Sequence, residues 1–421
     1  MKAVICGELF DGTGLTLKSD WTLLIDGEKI VSSKPTSDSQ IPSDSEVLDA
    51  RGSTVIPGLI DCHDHLASFG YEIASRWGLT EQQSHRHMRI ASTLRQTLHT
   101  GYTTIRDAGG LPAGFRNAID EGLIPGPRLL TSIGIISPTG GIAGHLSPSG
   151  HQTPFGADPS VPDGVANGPY EMRKKVREMV GAGADVIKFA ATGGASSRAG
   201  LEPRDMLITK EEITSIVDEA HTLGKKVMCH ALGGPGLTAS IEAGVDSIEH
   251  GTFLHEDPRS LELMAKKDVF FAPTFAVYKY HAERGTPHGQ KRANDLKTDH
   301  VKSLLAAMDH GVKVVAGTDA GGWIHGNNAE ELSCLVEAGM TPSQAVLAGT
   351  RIAAECIGMQ DELGTLVEGK KADLLFSSRN PLIDISCLEF GQTVSLVMKG
   401  GEVVFDKDNI CLLYTSDAAD E

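Results

Sequence analysis

No run of apolar side chains in this sequence approaches the roughly 18 residues that a membrane-spanning helix needs, so no membrane partner is expected. The N-terminus, Met1-Lys2-Ala3-Val4-Ile5-Cys6-Gly7-Glu8, turns polar too soon for a secretory leader, and the expected location is cytoplasmic. Basic charge is scarce too. Lys and Arg number 38 against 55 Asp and Glu, a formal net charge of −17, and they form no basic stripe. Nucleic acid is therefore not an expected partner, because phosphate binding draws on clustered Lys and Arg. The seven cysteines (Cys6, Cys62, Cys229, Cys334, Cys356, Cys387, Cys411) contain no Cys-x-x-Cys pair. That excludes a disulfide framework and a zinc knuckle, and leaves them as small buried apolar residues.

What is present is size, glycine and a regular alternation of elements. At 421 residues the chain exceeds one minimal core and fits a large domain plus a smaller one. Its 48 glycines fall mostly beside apolar runs, as tight strand-to-helix turns require. Residues 1–57 read as short strands punctuated by Asp11-Gly12, Asp26-Gly27 and Arg51-Gly52, with a hairpin over Ile25–Ile30. From residue 58 strands alternate with amphipathic helices. The strands are the stretch Val55–His65, then Thr103–Asp107, Arg128–Ser132, Asp185–Phe189, Lys226–His230, Ser247–His250, Phe270–Phe275 and Lys313–Asp319.

Between them, Met172, Val176, Met179 and Val180 share one helical face, as do Ile213, Ile216, Val217 and Ala220, and Val301, Leu304, Leu305 and Met308. Thr209-Lys210-Glu211-Glu212 is a capping box, and Thr341-Pro342 gives another helix its N-cap and first-turn proline. Eight strands alternating with helices over residues 58–364 predict an α/β fold, a (β/α)8 TIM-like barrel, with a doubly wound sheet as runner-up. After residue 364 the pattern returns to strands and turns. Residues 1–57 and 365–410 are expected to pair as one small β-sandwich domain, since neither end alone has enough strands to bury a face. Residues 411–421 fit nothing before them and resemble a translated sequencing adapter. They are expected to be a non-native tail, with the natural sequence beyond about residue 410 altered.

The chemistry starts at Val55-Ile56-Pro57-Gly58-Leu59-Ile60-Asp61-Cys62-His63-Asp64-His65. On a strand, residues i and i+2 face the same way, so His63 and His65 project together while Cys62 points away. Lys188, His230, His250 and Asp319 stand at the ends of four later strands. Each alone reads as a salt-bridged, core or turn-capping residue. Together they give six groups around one mouth, too many for a single tetrahedral zinc and suited to two metals about 3.5–4 Å apart. An ammonium cannot ligate a cation, but a neutral lysine amine can take up carbon dioxide as a carbamate.

Those residues, with Cys229-His230-Ala231, Ser247-Ile248-Glu249-His250-Gly251, Gly317-Thr318-Asp319-Ala320-Gly321 and Gly369-Lys370-Lys371-Ala372-Asp373-Leu374, carry a resemblance. Over about residues 1–408 the chain resembles the amidohydrolase superfamily. Within it the chain looks like the binuclear, carboxylated-lysine members related to imidazolonepropionase and to Xaa-Pro dipeptidase-like amidohydrolases. The resemblance implies two divalent metal ions, expected to be zinc, with carbon dioxide as the source of carboxylation at Lys188. His63, His65 and Asp319 would hold one ion, His230 and His250 the other, and Lys188 would bridge.

The implied reaction is hydrolysis of a C–N amide bond in a dipeptide or N-acyl amino acid by a metal-activated hydroxide, with Asp319 as general base. His145, in the glycine-rich stretch Thr139–His145, is expected to donate to the scissile carbonyl. Arg198, Tyr278 and Tyr280 are candidate contacts for a substrate carboxylate. Some dipeptidase-like relatives carry a tyrosine after the strand-5 His-Ala; Leu232 stands there in this chain, a departure from prolidase-type recognition. Rival readings are a cyclic-amide hydrolase of hydantoinase or imidazolonepropionase type, an organophosphate or lactone hydrolase, and a non-catalytic scaffold relative. The expected partner is a small-molecule amide, and the expected assembly a homo-oligomer.

Overall fold

The first element, β1 (Lys2–Leu9), turns Val4, Cys6 and Leu9 into one core, a register shift between Cys6 and Glu8 bringing Leu9 to that side. The computed structural model describes residues 1–70, 78–146, 152–153, 158–195, 201–321 and 324–407, with backbone alone at 145–146 and 152–153. Next come β2 (Lys18–Asp26) and β3 (Lys29–Pro35), the expected hairpin, with Ile25 opposite Ile30 and Gly27 at φ +55° in the turn. The long β4 (Glu46–Pro57) pairs in parallel with β1.

Gly58 then separates β4 from β5 (Leu59–Asp64), because a Cβ there would overlap the Thr103 side chain. Strand β5 pairs in parallel with β6 (Tyr102–Asp107), and β6 with β7 (Arg128–Thr131). The short β8 (Ile135–Ile136) follows, then a two-residue antiparallel pair, β9 (His145–Leu146) with β10 (Gln152–Thr153). Four more parallel strands are β11 (Val186–Ala190), β12 (Lys226–Ala231), β13 (Ser247–His250) and β14 (Phe270–Ala272), in the order β14-β13-β12-β11-β8.

Hydrogen bonds join these parallel groups. Asp185 N donates to Thr131 O beside β7. The segment 313–319 bonds β14 on one side, Phe271 N to Lys313 O and Val315 N to Phe271 O. On its other side Cys62 N donates to Ala316 O and Asp319 N to His63 O. The expected strand Lys313–Asp319 thus runs between β14 and β5, but among the described residues it makes a single bridge, Phe271–Val314, with Asp64–Ala320 just beyond it, in place of a regular ladder. The expected strand Phe270–Phe275 is shorter than its apolar run. Pro273 has no amide hydrogen, Thr274 turns left-handed at φ +59°, and a helix starts at Phe275 and runs to Arg284. Tyr278 and Tyr280 consequently lie on a helix.

The intervening helices bury the faces that their periodicity marked. Pro169–Gly181 buries Met172, Val176 and Met179; Lys210–Thr222 buries Ile213, Ile216, Val217 and Ala220 behind its Thr209–Glu212 capping box. In Pro287–Asp309, Leu304 is buried but Leu305 is 47 % exposed. The third stripe is thus narrower than its spacing suggested.

Last come β15 (Leu374–Ser377), β16 (Val394–Lys399) and β17 (Glu402–Asp406). Strand β15 pairs antiparallel with β4, so both chain ends enter one seven-stranded sheet, β17-β16-β15-β4-β1-β2-β3. Val4, Leu23, Ile25, Ile30, Leu48, Leu374, Phe376, Leu396 and Met398 form its own apolar core, separate from the larger core under the parallel strands. The protein is α/β, with parallel strands alternating with helices. No helix among the described residues is long and apolar enough to cross a membrane. The tail 411–421 lies outside the described residues.

Candidate metal centre

Strand β5 brings His63 and the following His65 to one place, and buried Asp61 fixes the strand's end. Asp61 Oδ1 accepts His63 N at 2.9 Å and Thr318 N at 3.2 Å, and its Oδ2 accepts Thr318 Oγ1 at 2.7 Å. The carboxylate ties β5 to the segment that carries Asp319. Asp319 Oδ1 lies 3.2 Å from His65 Nε2 and 3.5 Å from His63 Nε2. His63, His65 and Asp319 offer three ligand atoms within 4.8 Å of one another.

The other three expected ligands border this group. The His63 and His250 ring centroids are 5.1 Å apart, and those of His230 and His250 are 4.4 Å apart. Lys188, on β11, is 2 % exposed, and its Nζ has no hydrogen-bond partner among the described residues. Burial pulls its amine down to about 8, against the opposing pull of Glu249 and Asp319. An unpartnered amine held this deep is costly as an ammonium, and the cost favours the neutral, nucleophilic form. Of the expected substrate contacts, His145 is placed by backbone alone, in β9, and Arg198 lies outside the described residues. Tyr278 is buried, its hydroxyl 2.8 Å from Thr252 Oγ1. Tyr280 packs beside it under the Arg284 guanidinium.

Each histidine spends one ring nitrogen on the protein, and this indicates which nitrogen is left. His63 Nδ1 meets Glu249 Oε2 at 2.7 Å, His65 Nδ1 meets Gly109 O at 2.9 Å, and His250 Nδ1 meets Thr274 Oγ1 at 2.8 Å. For His230 it is Nε2 that meets an acceptor, Gly193 O at 3.2 Å. A carbonyl or carboxylate acceptor fixes the proton on the bonded nitrogen. The ring nitrogens turned the other way are Nε2 on His63 and His65, both against Asp319 Oδ1, Nε2 on His250 and Nδ1 on His230.

The electrostatics agree with a ligand set. Burial brings His230 down to about 3 and, with neighbouring His230, takes His250 well below its ordinary value, so both are neutral imidazoles. Burial alone would raise the Asp319 carboxyl, but the His63 and His65 side chains against it hold it well below the usual range. Neutral imidazoles and an ionised carboxylate are the donor forms that divalent metals require.

Four further residues shape the site and were assigned no role from sequence. Glu249 accepts from His63 and is paired with buried Arg106, whose Nη2 is 3.0 Å from Glu249 Oε1 and whose Nε donates to Cys62 O at 2.6 Å. Asp61 and Thr274 are the others. Glu249 had a signal: a carboxylate in a four-residue strand between Ile248 and His250. Strict alternation would send it to the opposite face from His250, but φ of +73° at His250 breaks the alternation and both side chains reach the centre.

Parallel strands whose ends gather such groups suit a hydrolase, and comparison with known proteins makes it one of carbon–nitrogen bonds. The chain belongs to the amidohydrolase family, which matches residues 54–404. It is 32 % identical to ochratoxinase of Aspergillus niger over 425 residues, covering 95 % of this chain and 86 % of that protein. The solved structure of a Xaa-Pro dipeptidase with methionine bound in its active site superimposes with a TM-score of 0.83. There the identity is 31 %, over 96 % of this chain and 99 % of that one. Imidazolonepropionase of Rhizobium rhizogenes is 24 % identical, over 86 % of this chain and 87 % of that protein. The family generally uses divalent metals, in keeping with the His63–His65–Asp319 group.

Proposed function

We propose that the protein is a two-metal amidohydrolase that cleaves the amide bond of a dipeptide or an N-acyl amino acid. In this reading the linked parallel strands of residues 58–364 are a (β/α)8 barrel, and residues 1–57 and 365–410 make a β-sandwich domain beside it. The observation that carries the reading is the meeting of His63, His65 and Asp319 beside the buried, unpartnered amine of Lys188. The Xaa-Pro dipeptidase that covers nearly the whole chain supports the linear substrate class.

His63, His65 and Asp319 would hold one ion, and His230 and His250 the second. Lys188 would be the shared ligand once its neutral amine has added carbon dioxide and released one proton to give a carbamate. Bound there, two divalent ions, zinc in this proposal, would lower the pKa of a shared water towards about 7 and polarise the scissile carbonyl. The protein's own groups do the rest. Asp319 accepts the water's proton and returns it to the leaving nitrogen. His145 donates to the carbonyl oxygen as charge develops there, and Arg198 and Tyr278 orient the substrate.

The test is a screen of zinc-reconstituted protein against dipeptides, N-acyl amino acids and cyclic amides, scored by released amine or ring opening. Turnover of linear amides is expected. Ring opening alone would move the protein to the cyclic-amide class of its imidazolonepropionase relative, and no turnover in any class would overturn the proposal.

A further inference from the structure

We infer that Thr274 is a positioning residue for the second metal: its hydroxyl fixes the proton of His250 on Nδ1 and so turns Nε2 towards the site. The inference rests on the two-metal reading above. Thr274 is fully buried, and its Oγ1 makes two short contacts, 2.6 Å to Pro273 O and 2.8 Å to His250 Nδ1. A hydroxyl has one proton. The Pro273 carbonyl can only accept, so the Thr274 proton goes there, and Thr274 Oγ1 must accept from His250. Nδ1 is thereby protonated, and the lone pair of His250 lies on Nε2.

The backbone shows that this arrangement is held against resistance. Thr274 is β-branched yet sits at φ +59°, ψ +48°, a left-handed conformation that favours glycine or asparagine. Such strain persists where the surroundings over-determine it. Here Glu331 does so: its buried carboxyl group accepts Phe275 N at 3.1 Å and Ala276 N at 2.7 Å, clamping the helix start directly after Thr274. His250 (φ +73°) and Asp319 (φ +54°) are left-handed as well. The ends of β13 and β14 and the 313–319 segment thus each carry a strained non-glycine residue, and two of the three are candidate ligands. A threonine at the third, bonded to a ligand, is explained by its hydroxyl.

The experiment is zinc titration of the metal-free protein against a competing chelator, comparing wild type with Thr274→Val, Thr274→Ser and Thr274→Gly. Removal of the hydroxyl in the valine and glycine variants should weaken one of the two sites about 10–100-fold and leave the other unchanged. Serine should keep both. Glycine accepts the left-handed turn without strain, so it reports on the hydroxyl even if the valine variant does not fold. Wild-type affinity at both sites in the glycine variant, equal weakening of both sites, or failure of serine to rescue would overturn the role of Thr274 alone. If the wild type binds no pair of ions, the two-metal reading falls, and this inference with it.

Discussion

Glu249 stands between a candidate ligand and a buried cation: its Oε2 meets His63 Nδ1 at 2.7 Å while its Oε1 meets Arg106 Nη2 at 3.0 Å. His63 is thus anchored through one carboxylate to a guanidinium that is itself fully enclosed. Removing one partner of a buried pair leaves the other charge uncompensated. Arg106→Met is therefore expected to cost roughly 3–5 kcal/mol of folding stability, measured by urea unfolding of the metal-free protein. A variant as stable as the wild type would show that the pair carries no such weight.

The same carboxylate gives a pH dependence of definite sign. Burial would raise Glu249, but Arg106 and His63 outweigh it and hold the group at about 2, against an ordinary 4.5. A folded-state pKa below the unfolded one adds stability that is fully present above 4.5 and is lost as the pH falls towards 2. The unfolding free energy of the metal-free protein should decline through that window, and Glu249→Gln should flatten the decline. An unchanged slope in the variant would assign the acid limb to other groups.

Asp319 is expected to serve as both ligand and base, and the two roles separate in Asp319→Asn. The amide oxygen can still ligate but cannot take a proton. Turnover should fall by about 10²–10⁴-fold while much of the metal stays bound, read by steady-state rates beside metal content. Near wild-type turnover would remove Asp319 as the base.

Lys188 makes opposite predictions for the two states of the protein. Its Nζ is buried without a hydrogen-bond partner among the described residues, so Lys188→Met replaces a costly polar group by an apolar chain of similar length. The metal-free variant should be at least as stable as the wild type, by as much as about 1–3 kcal/mol more. The same variant should fail to hold a full metal complement and should lose activity. Loss of stability with retained metal would mean that Lys188 serves the fold and not the site.

What the sequence showed depended on how local each signal was. The Thr209–Glu212 capping box needs four residues and is present as read. The His63–His65 pair needs only strand alternation. His230, His250 and Asp319 were legible because an imidazole or carboxylate closing an apolar strand is conspicuous. The Glu249–His63 bond spans 186 positions, and nothing within either strand announces it. Thr274 was invisible for another reason: the apolar run Phe270–Phe275 reads as one strand, and only Pro273 hinted at the turn that puts a threonine hydroxyl beside His250. The segment 313–319 has the composition of a strand, but its backbone bonds β14 and β5 without the register of a regular ladder, which a one-dimensional pattern cannot express.

Metal content of the purified protein tests the central claim most directly. After reconstitution with zinc and bicarbonate and removal of excess ion, elemental analysis should find close to two divalent ions per chain, as six donor groups around one mouth require. A chain that retains none under those conditions would contradict the account.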